Sequence, residues 1–161
     1  MVRSKLMLAV ACATLLACTS GMTQRERMLE QQAVEDRLAT WVRVTNNAQV
    51  DSLVGLYSPE TRVLWSNGNR SEGIEQYGAD IREFYGAINY MNFVLQDPTT
   101  QILAPGVAVS YFRHSTDIVA AGGLRQPVSA GHGSLVWVKD PSDNLWKIHI
   151  EHISISRPSP F

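Results

Sequence analysis

Several features that mark other protein classes are scarce in this chain of 161 residues. It has 2 cysteines, and its 14 Lys and Arg nearly balance its 15 Asp and Glu. No basic run or stripe is present, so we expect no nucleic-acid partner. The chain also lacks a P-loop, a GxGxxG fingerprint, a CxxC pair and a Ser-His-Asp order. A hydrophobic content of 45% over this length favours one domain with a substantial core.

The beginning of the chain reads as a targeting segment. A short basic stretch, Met1–Lys5, precedes the apolar run Leu6–Leu16. That run is shorter than the roughly 20 residues that span a bilayer, and it has the length of a signal-peptide core. The next residues, Leu15-Leu16-Ala17-Cys18, resemble the bacterial lipobox, whose cysteine is lipidated and whose peptide is cut just before it. The alternative is an ordinary secretory signal that is cleaved nearby.

The lipobox divides the chain into four parts. We predict a signal peptide over 1–17, a tether over 18–24 that is lipidated on Cys18, a domain over 25–156 and a tail over 157–161. Each buried methylene of a lipid contributes about 0.8 kcal/mol, so two or more acyl chains anchor a protein stably. Thr19, not aspartate, follows the cysteine. A residue other than aspartate at this position resembles Gram-negative lipoproteins that are sent to the outer membrane. We therefore expect a lipid-anchored domain of the bacterial cell envelope, on the periplasmic face of the outer membrane if the source is Gram-negative.

The mature chain shows a helical pattern first and strand patterns later. Apolar spacing predicts a long helix over 24–47, a short one over 50–57 that Pro59 ends, and a third that Ser71 caps and that runs to Tyr85. Alternation and turn signals predict strands over 61–66, 88–95, 101–103, 107–118, 129–139 and 145–155. This order predicts an α+β fold, with N-terminal helices packed on one face of a curved antiparallel sheet and a conical cavity between them.

The same segments resemble a known superfamily. The stretch 44–85 resembles the opening of the nuclear transport factor 2-like superfamily, on the polar break Asn46-Asn47, Tyr57 and Gly73. The C-terminal part resembles the SnoaL-like branch and is similar to the calcium/calmodulin-dependent kinase II association domain. The residues that carry this second likeness are Tyr111, Arg113, Val136, Trp137, Trp146, His152 and Ser154. The resemblance covers roughly 28–156 and implies a cone-shaped fold, but the superfamily holds enzymes and non-enzymatic modules alike.

The last strand carries the densest group of titratable residues. Strict alternation would place Trp146, Ile148, Ile150, His152 and Ser154 on one face, which the resemblance implies is the cavity face. His149 and Glu151 would then share the opposite face. They could hold a metal if His114 or His132 supplied a third ligand. We favour a polar pair at the outer surface or in a dimer interface, and we predict no metal and no cofactor.

A polar ring at the pocket mouth is the candidate site. The resemblance implies that His152 faces the cavity, where Tyr111, Arg113 and His132 could join it. A cationic arginine with tyrosine and histidine can bind a carboxylate, enolate or phenolate oxygen. His152 is the candidate catalytic base; the alternative is a structural histidine that closes the core. Arg113 needs a ligand anion or an internal acid, for which the candidates are Glu60, Asp80 and Glu83. Tyr57, Trp65 and Tyr85 could line the apolar part of the pocket.

Three functions fit these observations. The first is a lipid-anchored domain that binds a small, largely apolar ligand without turnover. The second is an oligomeric assembly module. The third is an isomerase, dehydratase or cyclase, in which His152 takes a proton next to a carbonyl and Tyr111 or Arg113 stabilises the oxyanion. A homodimer is compatible with each of them.

Overall fold

The computed structural model describes residues 21–156. The predicted signal peptide (1–17), the predicted lipidation site Cys18 and the predicted tail (157–161) lie outside the described residues. The helices and strands follow in the order α1 (Gln24–Asn46), α2 (Val50–Val54), β1 (Tyr57–Leu64), β2 (Arg70–Glu72), α3 (Ile74–Gly86), β3 (Ile88–Ala104), β4 (Val107–Ala120), β5 (Ser129–Lys139) and β6 (Trp146–Ile155). Within residues 21–156, no helix is long and apolar enough to cross a membrane.

One six-stranded sheet, in the order β2-β1-β6-β5-β4-β3, forms the body of the domain. Neighbouring strands are antiparallel, except that β1 runs parallel to β6. The predicted α+β arrangement of helices on a curved sheet is confirmed, but the sheet is mixed and not purely antiparallel. The parallel pair arises because the chain reaches β6 from β5 and inserts it beside the first strand.

Three local predictions differ from the observed elements. The second helix ends at Val54, and Tyr57 already belongs to β1, which includes Pro59. Ser71 lies in the short strand β2; the residue that precedes α3 is Gly73, with a φ of 83°. Turn residues at 96–100 do not end β3, because Asp97 takes a positive φ and a register shift against β4 absorbs the irregularity.

Helix α1 is fixed to the sheet by polar contacts at several points along its length. The Thr23 side chain accepts from the Glu26 amide, and Glu26 reaches back to the Thr23 amide, which forms a capping box. Further along, Arg37 Nε donates to the Trp146 carbonyl at 3.0 Å. At the end of the helix the Asn46 amide donates to the Phe93 carbonyl at 2.9 Å and accepts from the Phe93 amide. Asn46, in the polar break of the sequence, therefore connects the end of α1 to β3.

The core lies between the helices and one face of the sheet. Trp41 of α1 packs edge-on against Phe93 of β3, with ring centroids 5.3 Å apart, and also contacts Phe112 of β4. The Phe112 ring fits here because residue 133 is a glycine; a Cβ at Gly133 would lie 2.3 Å from the ring. Aromatic packing of this kind holds α1 on the sheet. The space beside Trp41 and Phe93 is not filled and forms a cavity.

Candidate ligand pocket

A cavity of about 160 Å³ lies between the helices and the sheet. Its walls are mostly aromatic and aliphatic side chains from all three helices and from β1, β3, β4 and β6. Those that matter most for its chemistry are Trp41, Thr45, Tyr57, Trp65, Tyr77, Tyr85, His114, Thr116 and Glu151. A dry apolar cavity of about 150 Å³ is large enough for benzene, so this space suits a molecule of about one ring.

Glu151 reaches this cavity because β6 contains a bulge. Trp137 of β5 pairs with Ile148, but the next residue, Val136, pairs with Ile150, so that His149 is an extra residue in β6. A bulge of this kind reverses the alternation of side chains beyond it. Trp146 and Ile148 therefore face the core as predicted, and beyond the bulge the inward residues are Glu151, Ile153 and Ile155.

The carboxyl of Glu151 is held by Tyr57. Its side chain is almost fully buried, and its Oε2 accepts a hydrogen bond from the Tyr57 hydroxyl. Tyr57 in turn accepts from Trp41 Nε1 at 2.8 Å. Burial raises the pKa of Glu151 from its ordinary value of 4.5 to about 7, against the opposing effect of the bond from Tyr57. The acid thus changes its charge near neutral pH inside an apolar space.

Two further tyrosines surround this carboxyl. The Tyr77 ring lies 4.2 Å from the Tyr57 ring, and the Tyr85 hydroxyl donates to the Thr45 carbonyl at 2.6 Å. Burial and the nearby charge of Glu151 raise the pKa of Tyr57 and of Tyr77 well above the usual range. Burial also raises the pKa of Tyr85 to about 12. All three phenols are therefore neutral at physiological pH.

His114 forms part of the opposite wall. It is 2% exposed and stacks on Phe93, with ring centroids 4.9 Å apart. Its Nε2 lies 3.1 Å from the Ser154 carbonyl and its Nδ1 lies 3.3 Å from Thr116 Oγ1. Burial lowers the pKa of His114, so the ring is neutral at pH 7. A neutral ring that donates to a carbonyl acts here as a structural polar contact.

The aromatic candidates from the sequence do line the cavity. Tyr57, Trp65 and Tyr85 all contribute to its wall. Trp65 stands at one end, where its Nε1 donates to Ser71 Oγ at 2.9 Å, and Ser71 donates to Asp80 Oδ2 at 2.6 Å. Their role as ligand contacts stays a prediction.

The predicted polar ring exists, but it lies on the other face of the sheet. Tyr111, Arg113, His132 and His152 line a shallow groove there. On β4 the inward positions are Ser110, Phe112 and His114, so Tyr111 and Arg113 point outward. His132 pairs with Arg113 and shares its face, and the bulge in β6 turns His152 outward. The placement of these four residues in the cone pocket was wrong.

The partner predicted for Arg113 also differs. Arg113 forms an exposed ion pair with Asp97 of β3, not with Glu60, Asp80 or Glu83. The positive φ and register shift at Asp97 bring this acid beside the arginine. Because Arg113 is exposed, it needs no buried counter-charge.

The interpretation of the His149–Glu151 pair as outward neighbours was wrong as well. His149 is half-buried, and its Nδ1 lies 3.1 Å from Ser58 Oγ, while Glu151 points into the cavity. Within residues 21–156, no group of three His, Cys, Asp or Glu is placed to hold a metal.

Comparisons with known proteins identify the fold only. No family model and no curated protein matches the chain. A nuclear transport factor 2-like superfamily protein from Salmonella enterica serovar Typhimurium matches with a TM-score of 0.70 and 22% identity, over 82% of this chain and 94% of that one. A calcium/calmodulin-dependent protein kinase II association domain-like protein from Xanthomonas campestris matches with a TM-score of 0.67 and 18% identity, over 78% and 87%.

A third solved structure extends the range of functions on this fold. A type 2 hexachlorocyclohexane dehydrochlorinase (LinA) matches with a TM-score of 0.72 and 10% identity, over 86% of this chain and 93% of that one. At these identities the likeness concerns the backbone. The chain has the nuclear transport factor 2-like fold, as the resemblance implied, and the fold hosts enzymes and non-enzymes.

Proposed function

We propose that the domain binds a small, largely apolar molecule in the cavity between the helices and the sheet. The observation that supports this most directly is the cavity itself, about 160 Å³ with mainly apolar walls and one buried acid. The space is partly open to the surface, so a small molecule can enter it. Concave apolar spaces with a few polar groups are the usual form of a ligand site.

A pair of variants on β6 tests this proposal. Ile153 lines the cavity, and Ile150 lies on the opposite face of the same strand. We expect Ile153→Phe to fill the space and to abolish the thermal stabilisation that toluene gives to the wild-type protein. Ile150→Phe should leave that stabilisation unchanged. If toluene fails to stabilise the wild-type protein, or does so equally in both variants, the cavity is not a binding site.

We propose a second function, proton transfer next to a carbonyl, because of the raised pKa of Glu151. A general base works best when its pKa lies near the working pH, and Glu151 has a pKa of about 7. His152, the base expected from the sequence, faces away from the cavity. In this function the Glu151 carboxylate takes a proton from the carbon beside a ketone, which leaves an enolate and a neutral carboxyl.

Hydrogen exchange tests this second function without a known substrate. In D₂O, we expect the protein to accelerate deuteration of the methyl group of acetophenone, followed by proton NMR. Glu151→Gln should remove the acceleration, while Glu75→Gln on the exposed part of α3 should keep it. Equal exchange rates with and without the wild-type protein would reject the enzymatic function and leave ligand binding intact.

We also propose that the chain is anchored to the cell envelope through a lipid on Cys18. The support is the sequence Leu15-Leu16-Ala17-Cys18 after a signal-peptide core. In a bacterial host, the wild-type chain should fractionate with membranes and incorporate labelled palmitate. Cys18→Ser should do neither; labelling that persists in this variant contradicts the assignment.

A further inference from the structure

Most of the polar atoms that surround the cavity already have partners within the protein. The Tyr57 hydroxyl accepts a hydrogen bond from Trp41 and donates one to Glu151 Oε2. The Tyr85 hydroxyl donates a hydrogen bond to the Thr45 carbonyl. Since these hydroxyl groups already donate within the protein, they can donate to a bound molecule only if an existing hydrogen bond breaks.

Some oxygen atoms beside the cavity have no described hydrogen-bond partner. Within residues 21–156, Thr45 Oγ1 is the one fully enclosed side-chain nitrogen or oxygen that has no hydrogen-bond partner. Thr45 is 6% exposed and lines the cavity. Glu151 Oε1 also has no described partner, because the hydrogen bond of this carboxyl uses Oε2 alone, and this atom is not fully enclosed, so a ligand in the cavity can reach it. Thr45 Oγ1 is enclosed, so a ligand in the cavity reaches Glu151 Oε1 and not this hydroxyl.

The charge around the cavity excludes one class of ligand. Its ionisable lining groups are Glu151 of β6, Tyr57 of β1, Tyr77 and Tyr85 of α3, and His114 of β4. The groups that face it from α1, Trp41 and Thr45, carry no charge. The lining contains no Lys or Arg, so no cationic side chain there offsets the charge of an ionised Glu151. An anionic ligand would add a second buried negative charge beside the first.

On the basis of the ligand-binding function above, we propose that Glu151 selects neutral ligands of about one ring that carry a hydroxyl group. The ionised Glu151 Oε1 accepts a hydrogen bond from the ligand hydroxyl. Anionic molecules of the same size are rejected. When Glu151 is protonated, its carboxyl donates instead, so ligands that can only accept a hydrogen bond gain affinity at lower pH.

Four molecules that share one ring and differ in one group test this selection: toluene, benzyl alcohol, benzaldehyde and benzoate. At pH 8, calorimetry of the wild-type protein should give benzyl alcohol an affinity at least tenfold above toluene, since a hydrogen bond to a charged group is worth more than a factor of ten. Benzoate should bind at least tenfold more weakly than toluene. Lowering the pH to 5.5 should raise the affinity for benzaldehyde, relative to the affinity for toluene, several-fold.

Glu151→Gln separates the carboxyl from the rest of the cavity. This variant keeps the shape of the side chain and loses its charge, so the pH dependence of the benzaldehyde-to-toluene ratio should disappear and benzoate should regain affinity. Glu75→Gln, on the exposed part of α3, is the matched control and should behave as wild type. The wild-type pH series stands as a test even where the variant is unstable.

The outcomes distinguish this selection from ligand binding itself. If toluene and benzyl alcohol bind equally at pH 8, or benzoate binds as well as toluene, the selection by Glu151 is refuted while the cavity remains a binding site. If none of the four molecules binds the wild-type protein, the ligand-binding function is refuted together with the selection.

Discussion

The Tyr57 hydroxyl donates its proton to the carboxyl of Glu151 at the wall of the cavity, although the two residues are 94 positions apart in the chain. Tyr57 begins β1 and Glu151 lies in β6, and these two strands form the parallel pair of the sheet. Trp41 of α1 completes the contact by donating to the same hydroxyl. One helix and two strands thus position a single acid in an apolar space.

The buried acid should make stability depend on pH. The pKa of Glu151 is about 7 in the folded protein and 4.5 at its ordinary value. Between these values the folded state binds more protons than the unfolded state, so the free energy of unfolding should fall as pH rises from about 4.5 to 7. The loss is on the order of a few kcal/mol, at about 1.4 kcal/mol for each pKa unit.

The measurement is thermal or urea unfolding of wild type and Glu151→Gln across this range. His114, whose pKa is lowered, acts with the opposite sign, so the difference between the two proteins isolates Glu151. We expect the variant to be the more stable protein above pH 7, with the difference shrinking towards pH 4.5. A difference that does not change with pH would contradict a buried ionising carboxyl.

Removing the unpaired hydroxyl of Thr45 should stabilise the empty protein. Thr45 Oγ1 is buried without a partner, so Thr45→Val should raise the free energy of unfolding by about 1 kcal/mol and Tm by about 3 °C. Thr40→Val is the control on the same helix, because the Thr40 hydroxyl already donates to the Asp36 carbonyl at 3.0 Å. Stabilisation by both variants alike would show that the effect comes from the helix and not from the hydroxyl.

A side chain at Gly131 should disrupt the wall that His114 forms. A Cβ at this position would lie 1.8 Å from the Ser154 carbonyl oxygen, which is the partner of His114 Nε2. We expect Gly131→Ala to lower the free energy of unfolding by about 1–3 kcal/mol, the usual cost of overpacking, or by more. Gly122→Ala, where the new Cβ meets nothing within 4 Å, should change it little. Equal stability of the two variants would mean that β6 shifts freely at Ser154.

The outer face of the sheet is where we expect a second copy of the chain. Tyr111, Val94 and Leu103 are exposed there, at 47%, 41% and 58%. We predict a homodimer in sedimentation at micromolar concentration and a monomer for Tyr111→Glu, because a charge in an apolar interface is costly. Leu124→Glu, at another exposed apolar residue, should remain a dimer. A wild-type protein that is monomeric at high micromolar concentration excludes this pairing.

The helices and strands could be predicted closely where the sequence pattern is local and regular. The spacing of apolar residues gave α1 within one residue, and alternation gave both ends of β5, Ser129 and Lys139. The predictions failed where a single backbone feature interrupts the pattern. Asp97 joined two predicted strands into β3, and the three residues 55–57 end a helix that was predicted to continue.

The sequence by itself determined the α+β order and the aromatic residues that line the cavity, because apolar periodicity and turn residues are local properties. The resemblance suggested that Tyr111, Arg113, His132 and His152 could lie together, and the strand register of the structure does bring them together. Only the tertiary structure decided which face of the sheet they occupy. The extra residue His149 in β6 exchanges the two faces beyond it, so Glu151 enters the cavity and His152 leaves it. That bulge depends on how β6 pairs with both β1 and β5, and a pattern of alternating residues in one strand does not contain this pairing.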